Sequence, residues 1–112
     1  MPTATQFESA ASDLRLLAGR FDADAAALAT ERANRLAPLE GPYVDPPIDT
    51  LGTAQGDMIA AAIELRRCAR VCDTRADICR AYARELSRWR WEQLNDEPPR
   101  PRPLPPYSWV SA

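Results

Sequence analysis

The chain contains no histidine, and all 14 of its basic residues are arginine. Histidine is the commonest general base and the commonest metal ligand in proteins. Its absence argues against hydrolases built on a catalytic triad and against most zinc enzymes. No glycine-rich phosphate loop is present, and no nucleophile, base and orienting residue can be assembled from the charged residues. We therefore predict a protein that is not an enzyme and that needs no cofactor and no metal ion.

The chain also lacks an apolar run of about 18 residues, and residues 1–6 lack the charged and apolar regions of a secretory signal. We therefore expect a protein that is made in the cytosol and has no membrane span. The 14 basic and 16 acidic residues are spread along the chain and give a net charge of −2. Since no basic stripe exists for a phosphate backbone, we predict no nucleic-acid partner.

Residues that favour helices dominate the first third of the chain, which has no proline from Gln6 to Leu36 and a single glycine, Gly19. We predict helix 1 over about 6–37, with a capping box at Thr5–Glu8. Large apolar residues recur every seven positions with alanines four residues later, which is typical of a helix that packs along one narrow stripe. The stripe consists of Phe7, Ala11, Leu14, Ala18, Phe21, Ala25 and Leu28.

A segment rich in proline and glycine follows, and it predicts a connector over 38–52 in which Tyr43, Val44 and Ile48 make contacts. Helix 2 is predicted over about 53–95. Its small and apolar residues alternate in steps of four and three, which indicates a heptad seam against helix 1. The seam consists of Met58, Ala62, Leu65, Ala69, Cys72, Ala76, Cys79, Ala83 and Leu86.

These elements predict an all-α fold: an antiparallel two-helix hairpin over 1–95 and a disordered or extended proline-rich tail over 96–112. Such a hairpin buries little apolar surface, and helix 2 carries a second apolar stripe that helix 1 cannot cover. We predict that a second hairpin docks on this stripe to form a four-helix bundle, as a homodimer or heterodimer. The alternative is that the connector or the tail covers the stripe. The predicted partner-binding residues are Ile59, Ile63, Val71, Ile78, Tyr82 and Trp89.

Three cysteines, Cys68, Cys72 and Cys79, lie near one face of helix 2. One interpretation is a soft-metal site, similar to those of the cysteine-rich four-helix copper-storage proteins. The other is that these cysteines are small core residues. Cys72 and Cys79 are about 10 Å apart along the helix axis, which is too far to share one ion, so we favour packing. Copper binding is kept as an alternative function.

The tail contains the pattern Arg-x-x-Pro-x-x-Pro, which is typical of polyproline peptides that bind in aromatic-lined grooves. Two aromatic residues follow the pattern. The tail is therefore interpreted as a stiff spacer, a partner-docking segment or an adaptor peptide. The candidate recognition residues are Arg100, Pro103, Pro106, Tyr107 and Trp109.

The plan of residues 5–95 resembles the WXG100 and EspC-like small helical hairpins of type VII (ESX) secretion systems of actinobacteria. The shared features are two long alanine-rich helices, a turn near the middle and an aromatic-containing end of helix 2 at 82–86. The Trp-x-Gly turn is absent, and Gly41-Pro42-Tyr43 is its nearest substitute. The resemblance implies a partner, targeting chaperone or substrate that pairs with another hairpin or with a larger secreted effector. It also implies export by a type VII system, whose signal is a tyrosine followed four residues later by an acid. Since Leu86 stands four residues after Tyr82, we expect a cytoplasmic protein and keep export as an open alternative.

Overall fold

The computed structural model describes residues 2–36, 46–95 and 98–106. These residues form two helices and no strand: α1 spans Ala4–Leu36 and α2 spans Pro46–Leu94. The predicted all-α class is therefore confirmed, and two helices joined in this order are consistent with a hairpin.

Some of the predicted features lie outside the described residues. They are the contacts of Tyr43 and Val44, the turn at Gly41-Pro42-Tyr43, the side chain of Ile48, and the tail aromatics Tyr107 and Trp109.

Helix α1 begins two residues earlier than predicted, because the capping box lies at Thr3 and Gln6 and not at Thr5 and Glu8. The backbone amide of Thr3 donates to Oε1 of Gln6 at 2.8 Å, and the backbone amide of Gln6 donates to Oγ1 of Thr3 at 3.2 Å. Both sites have the spacing of a capping box. The earlier box leaves the Glu8 carboxylate available for an ion pair with Arg80 on α2.

Helix α2 begins at Pro46, so the prediction of a connector over 38–52 is wrong for its last seven residues. Pro46 and Pro47 occupy the first turn, where the backbone amides have no partner within the helix and the fixed φ of proline suits the helix. Asp49 adds a negative charge to the same turn, next to the positive end of the helix dipole. Composition alone does not distinguish a proline of the first turn, which the helix tolerates, from a proline in the interior, which breaks it.

The chain divides into two compact units. Unit 1 consists of Met1–Ala11 and Arg70–Ala112, and unit 2 consists of Ser12–Ala69. In unit 2, Asp22 pairs with Arg66, and Arg32 lies beside Gly52. Asp22 precedes Arg32 on α1, whereas the contact of Asp22 on α2, Arg66, follows the contact of Arg32, Gly52. The two helical segments of unit 2 are therefore antiparallel.

The buried core of unit 2 is made of alanine. Ala18, Ala25, Ala62 and Ala69 are almost completely buried. The Asp22–Arg66 ion pair joins the two helices. One turn from it, in the direction of the end of α1, lie Ala25 on α1 and Ala62 on α2. One turn from it in the opposite direction lie Ala18 on α1 and Ala69 on α2. The antiparallel register therefore places alanine opposite alanine at two successive levels, and these small side chains allow the helices to pack closely.

Unit 1 repeats this arrangement near the start of α1. Ala11 and Ala76 are buried, and each lies one turn from the Glu8–Arg80 ion pair in the direction of the end of α1. Ala83, which the seam predicts to be buried, is exposed. The reason is that the register brings Ala83 level with the first residue of α1, so no further turn of α1 extends over it.

Replacement of Gly19 by alanine is expected to raise the free energy of unfolding by about 0.5–1 kcal/mol. Gly19 lies inside α1, with open space where a Cβ would lie, and alanine loses less backbone entropy in a helix. Urea unfolding followed by circular dichroism measures the change. Gly52→Ala is the matched control with a smaller gain, because its Cβ would lie 3.3 Å from the Arg32 guanidinium. Destabilisation by Gly19→Ala would contradict the open surroundings.

Candidate functional site

The predicted partner-binding residues of unit 2 are exposed. Ile63 is 61% exposed and Ile59 is 43% exposed, and the two side chains lie one turn apart on α2. On α1 of the same unit, Leu16 and Leu17 are also exposed. These two leucines were not predicted to bind a partner, because they lie off the heptad stripe of α1.

The predicted partner-binding residues of unit 1 share one face of α2. Val71, Ile78, Tyr82 and Trp89 follow one another in steps of seven, four and seven residues, which keeps them on the same side of a helix. Val71 and Ile78 are exposed, whereas Tyr82 and Trp89 are half-buried. Residues of the proline-rich tail lie beside the two half-buried aromatic residues.

Arg100 connects the tail to the last turns of α2. The indole Nε1 of Trp89 donates to the backbone carbonyl oxygen of Arg100 at 2.9 Å, and the Arg100 guanidinium pairs with the Glu92 carboxylate. Nε of Arg88 lies 3.4 Å from Oε1 of the same carboxylate. The hydrogen bond from Arg100 holds the pKa of Glu92 below its ordinary value of 4.5. Glu92 therefore carries a negative charge at neutral pH, and its side chain is only 18% exposed.

The tail then runs back along α2. Tyr82 and residues 102–105 line one surface cavity, of about 220 Å³. Leu104 and Pro106 line a second, of about 250 Å³, together with Ile78 and other residues of α2. Arg100 contacts Trp89, and Pro106 lies near Ile78. Ile78 precedes Trp89 by eleven residues on α2. At this end of α2 the tail thus lies along the apolar face for which a partner hairpin was predicted.

Three of the five predicted recognition residues, Arg100, Pro103 and Pro106, therefore line surfaces shared with α2 of their own chain. This placement agrees with the alternative in which the tail covers the second apolar stripe of α2, whereas the ion pair between Arg100 and Glu92 was not predicted. The available signal was weak: an acid lies eight residues before an arginine, across a segment without periodicity.

Cys79 lies in the core of unit 1 at 5% exposure, and its thiol donates to the backbone carbonyl oxygen of Pro2 at 3.6 Å. A cavity of about 300 Å³ lies beside it, lined also by Tyr82 and Leu86. Cys68 and Cys72 are half-buried, and all three cysteines are free. Within the described ranges, no three side chains of the metal-binding types are placed to hold one ion.

Charged residues make ion pairs within one helix, between the two helices, and between the tail and α2. Pairs within one helix, such as Glu31–Arg35 and Glu64–Arg67, are those expected for a solvated face. The hydrogen bond from Arg67 lowers the pKa of Glu64. The pairs Asp22–Arg66 and Glu8–Arg80, which join α1 to α2, were not predicted, because helical spacing gives no information about contacts between helices.

Acidification is expected to weaken the contact of the tail with α2. Since Arg100 lowers the pKa of Glu92, the ionised carboxylate stabilises the docked tail fully above pH 4.5, and this contribution is lost as the pH falls through the lowered pKa. The NMR resonance of the Trp89 indole N–H, assigned with Trp89→Phe, should shift in this acid range. Glu92→Gln should show the shifted resonance already at neutral pH. A wild-type resonance that stays unchanged throughout, while circular dichroism shows intact helices, would contradict this expectation.

Comparison with protein-family models, with curated proteins and with solved structures finds no match to this chain. Neither of the described helices is long and apolar enough to cross a membrane. The function is therefore inferred from the exposed apolar residues and from the contacts of the tail.

Proposed function

We propose that the chain is a non-enzymatic interaction module, a helical hairpin that pairs with another helical protein to form a four-helix bundle. The observation that carries the proposal is the size of the apolar side chains that unit 2 leaves exposed. Among its described residues the fully buried ones are alanines, whereas Leu16, Leu17, Ile59 and Ile63 are exposed, and larger residues of the seam such as Phe21 and Leu65 are half-buried.

The energetic argument follows from side-chain size. Burial of apolar surface contributes roughly 25 cal/mol per Å², so a leucine or isoleucine contributes far more than an alanine methyl group. A unit in which these four large side chains stay exposed leaves part of its available stabilisation unused. Docking of a second hairpin on these side chains would recover it, and exposed apolar surface of this kind marks interaction sites in other proteins.

We further propose that the partner belongs to a type VII secretion system, with this chain acting as partner, targeting chaperone or substrate. The support is the resemblance in plan to the small hairpins of those systems: two long helices and a tail after the second. A cytoplasmic protein, exported or retained, is part of the same proposal. Its partner is another copy, a different hairpin or a larger secreted effector.

Co-expression with the helical proteins encoded beside it tests this function. Affinity capture of the tagged chain should recover one of them in a stoichiometric complex, or light scattering should give the mass of a homodimer. A chain that remains a monomer at all accessible concentrations and that captures none of these neighbours would contradict the proposal.

A further inference from the structure

The contacts between the tail and α2 combine three features by which proteins recognise polyproline helices. These are an aromatic surface, a side-chain N–H that donates to a peptide carbonyl, and an acid that pairs with an arginine. In unit 1 they are supplied by Tyr82, Trp89 and Glu92. A polyproline helix has no internal hydrogen bonds, so its carbonyl groups remain available as acceptors.

The composition and length of the tail fit this mode of binding. Six of the nine residues over 98–106 are proline. An extended polyproline segment from Arg100 to Pro106 spans about 19 Å at ~3.1 Å per residue. The stretch of α2 from Trp89 to Ile78 spans about 16 Å at ~1.5 Å per residue. The two lengths agree with a tail that lies extended along the helix.

We propose that Tyr82, Trp89 and Glu92 form a binding site for arginine-containing polyproline peptides, and that residues 98–106 occupy it as an intramolecular ligand. We call this site the proline groove. Its ligand has an extended proline-rich backbone and an arginine toward its amino end, as Arg100 begins the Arg-x-x-Pro-x-x-Pro pattern. The proposal is independent of hairpin pairing, because it concerns unit 1 and a ligand without helical structure.

The covalent link between the proline groove and the tail determines how well a free peptide can compete for the groove. A ligand in the same chain has an effective concentration in the millimolar range, so a free peptide of equal affinity competes poorly with it. The groove is therefore closed to outside peptides while the tail is intact. A proline-rich segment of a partner gains access when the tail is weakened or drawn away.

The test uses the full-length chain with its own tail disabled by Arg100→Ser, Pro101→Ser, Pro103→Ser and Pro105→Ser. A synthetic peptide of residues 98–106 is added, and the Trp89 indole N–H resonance is followed by NMR. We expect saturable binding, weakened about tenfold by Glu92→Gln and by Trp89→Phe in the same background, the latter followed by peptide resonances. A peptide with alanine in place of every proline is the matched control and should not bind.

Two results would overturn the proposal. One is the absence of saturable binding to the tail-disabled chain while circular dichroism shows its helices intact. The other is binding that neither Glu92→Gln nor Trp89→Phe weakens. A second measurement, which does not use the fourfold variant, keeps the test decisive if that variant misfolds: hydrogen exchange of the Trp89 indole N–H should be slow in the wild type and faster in Arg100→Ser. Equal exchange in the two proteins would contradict the proposal.

Discussion

Leucine in place of Ala62 is expected to lower the free energy of unfolding by about 1–3 kcal/mol, the largest change in stability that we predict for a single substitution. Ala62 has no exposed surface, and the register of unit 2 places it level with the buried Ala25 on α1. Extra methylene groups in a fully packed site force the helices apart or push the side chain out of its preferred rotamers. Urea unfolding followed by circular dichroism measures the loss.

The matched control for this substitution lies in the same turn of α2. Ala60 is exposed, and we expect Ala60→Leu to change the free energy of unfolding by less than about 0.5 kcal/mol. Equal effects of the two substitutions would show that alanine at position 62 is not required for close packing of the helices, and would contradict the alanine register.

Aspartate in place of Ile63 is expected to weaken association with a partner hairpin by at least about 30-fold, and to leave the isolated chain folded. Ile63 is 61% exposed, so the isolated chain loses little packing. In a paired bundle the same position would be covered, and an unpaired carboxylate there would lose its hydration without compensation. A residue at the centre of an interface commonly contributes 2 kcal/mol or more, which corresponds to this factor.

Ser87→Asp is the control for the effect of added charge. Ser87 is exposed in unit 1 and, two residues before Trp89, lies off the face of α2 that carries Ile78 and Trp89. We expect the affinity of this variant to stay within about twofold of the wild type. Dissociation constants from analytical ultracentrifugation or calorimetry compare the two variants, and an unchanged affinity for Ile63→Asp would remove Ile63 from the partner surface.

The helices and their facing residues could be predicted from periodicity alone. Steps of three and four residues identified the alanines at 11, 18, 25, 62, 69 and 76, and all six are buried. Such a pattern is reliable because it extends over many turns, and no single residue decides it. The start of α2 could not be predicted in the same way, because proline stops a helix in its interior and is tolerated in its first turn.

The contacts of the docked tail could not be predicted because they are single contacts between segments with different conformations. A tail that covers the second apolar stripe is one of the two predicted alternatives, but nothing in the spacing of Arg100 and Trp89 joins these two residues. Their contact depends on one indole N–H, one carbonyl group and one nearby carboxylate. Periodicity alone therefore could not decide between the tail and a partner hairpin at this end of α2.

The central claim, that this hairpin functions by pairing through its exposed apolar residues, is tested most directly by photo-crosslinking in the organism that encodes it. A photoreactive phenylalanine analogue is placed at position 63 in one strain and at position 87 in another, and the crosslinked products are identified by mass spectrometry. We predict that position 63 crosslinks to one helical partner, a second copy or another hairpin, and that position 87 does not. The same background of products at both positions would contradict the account.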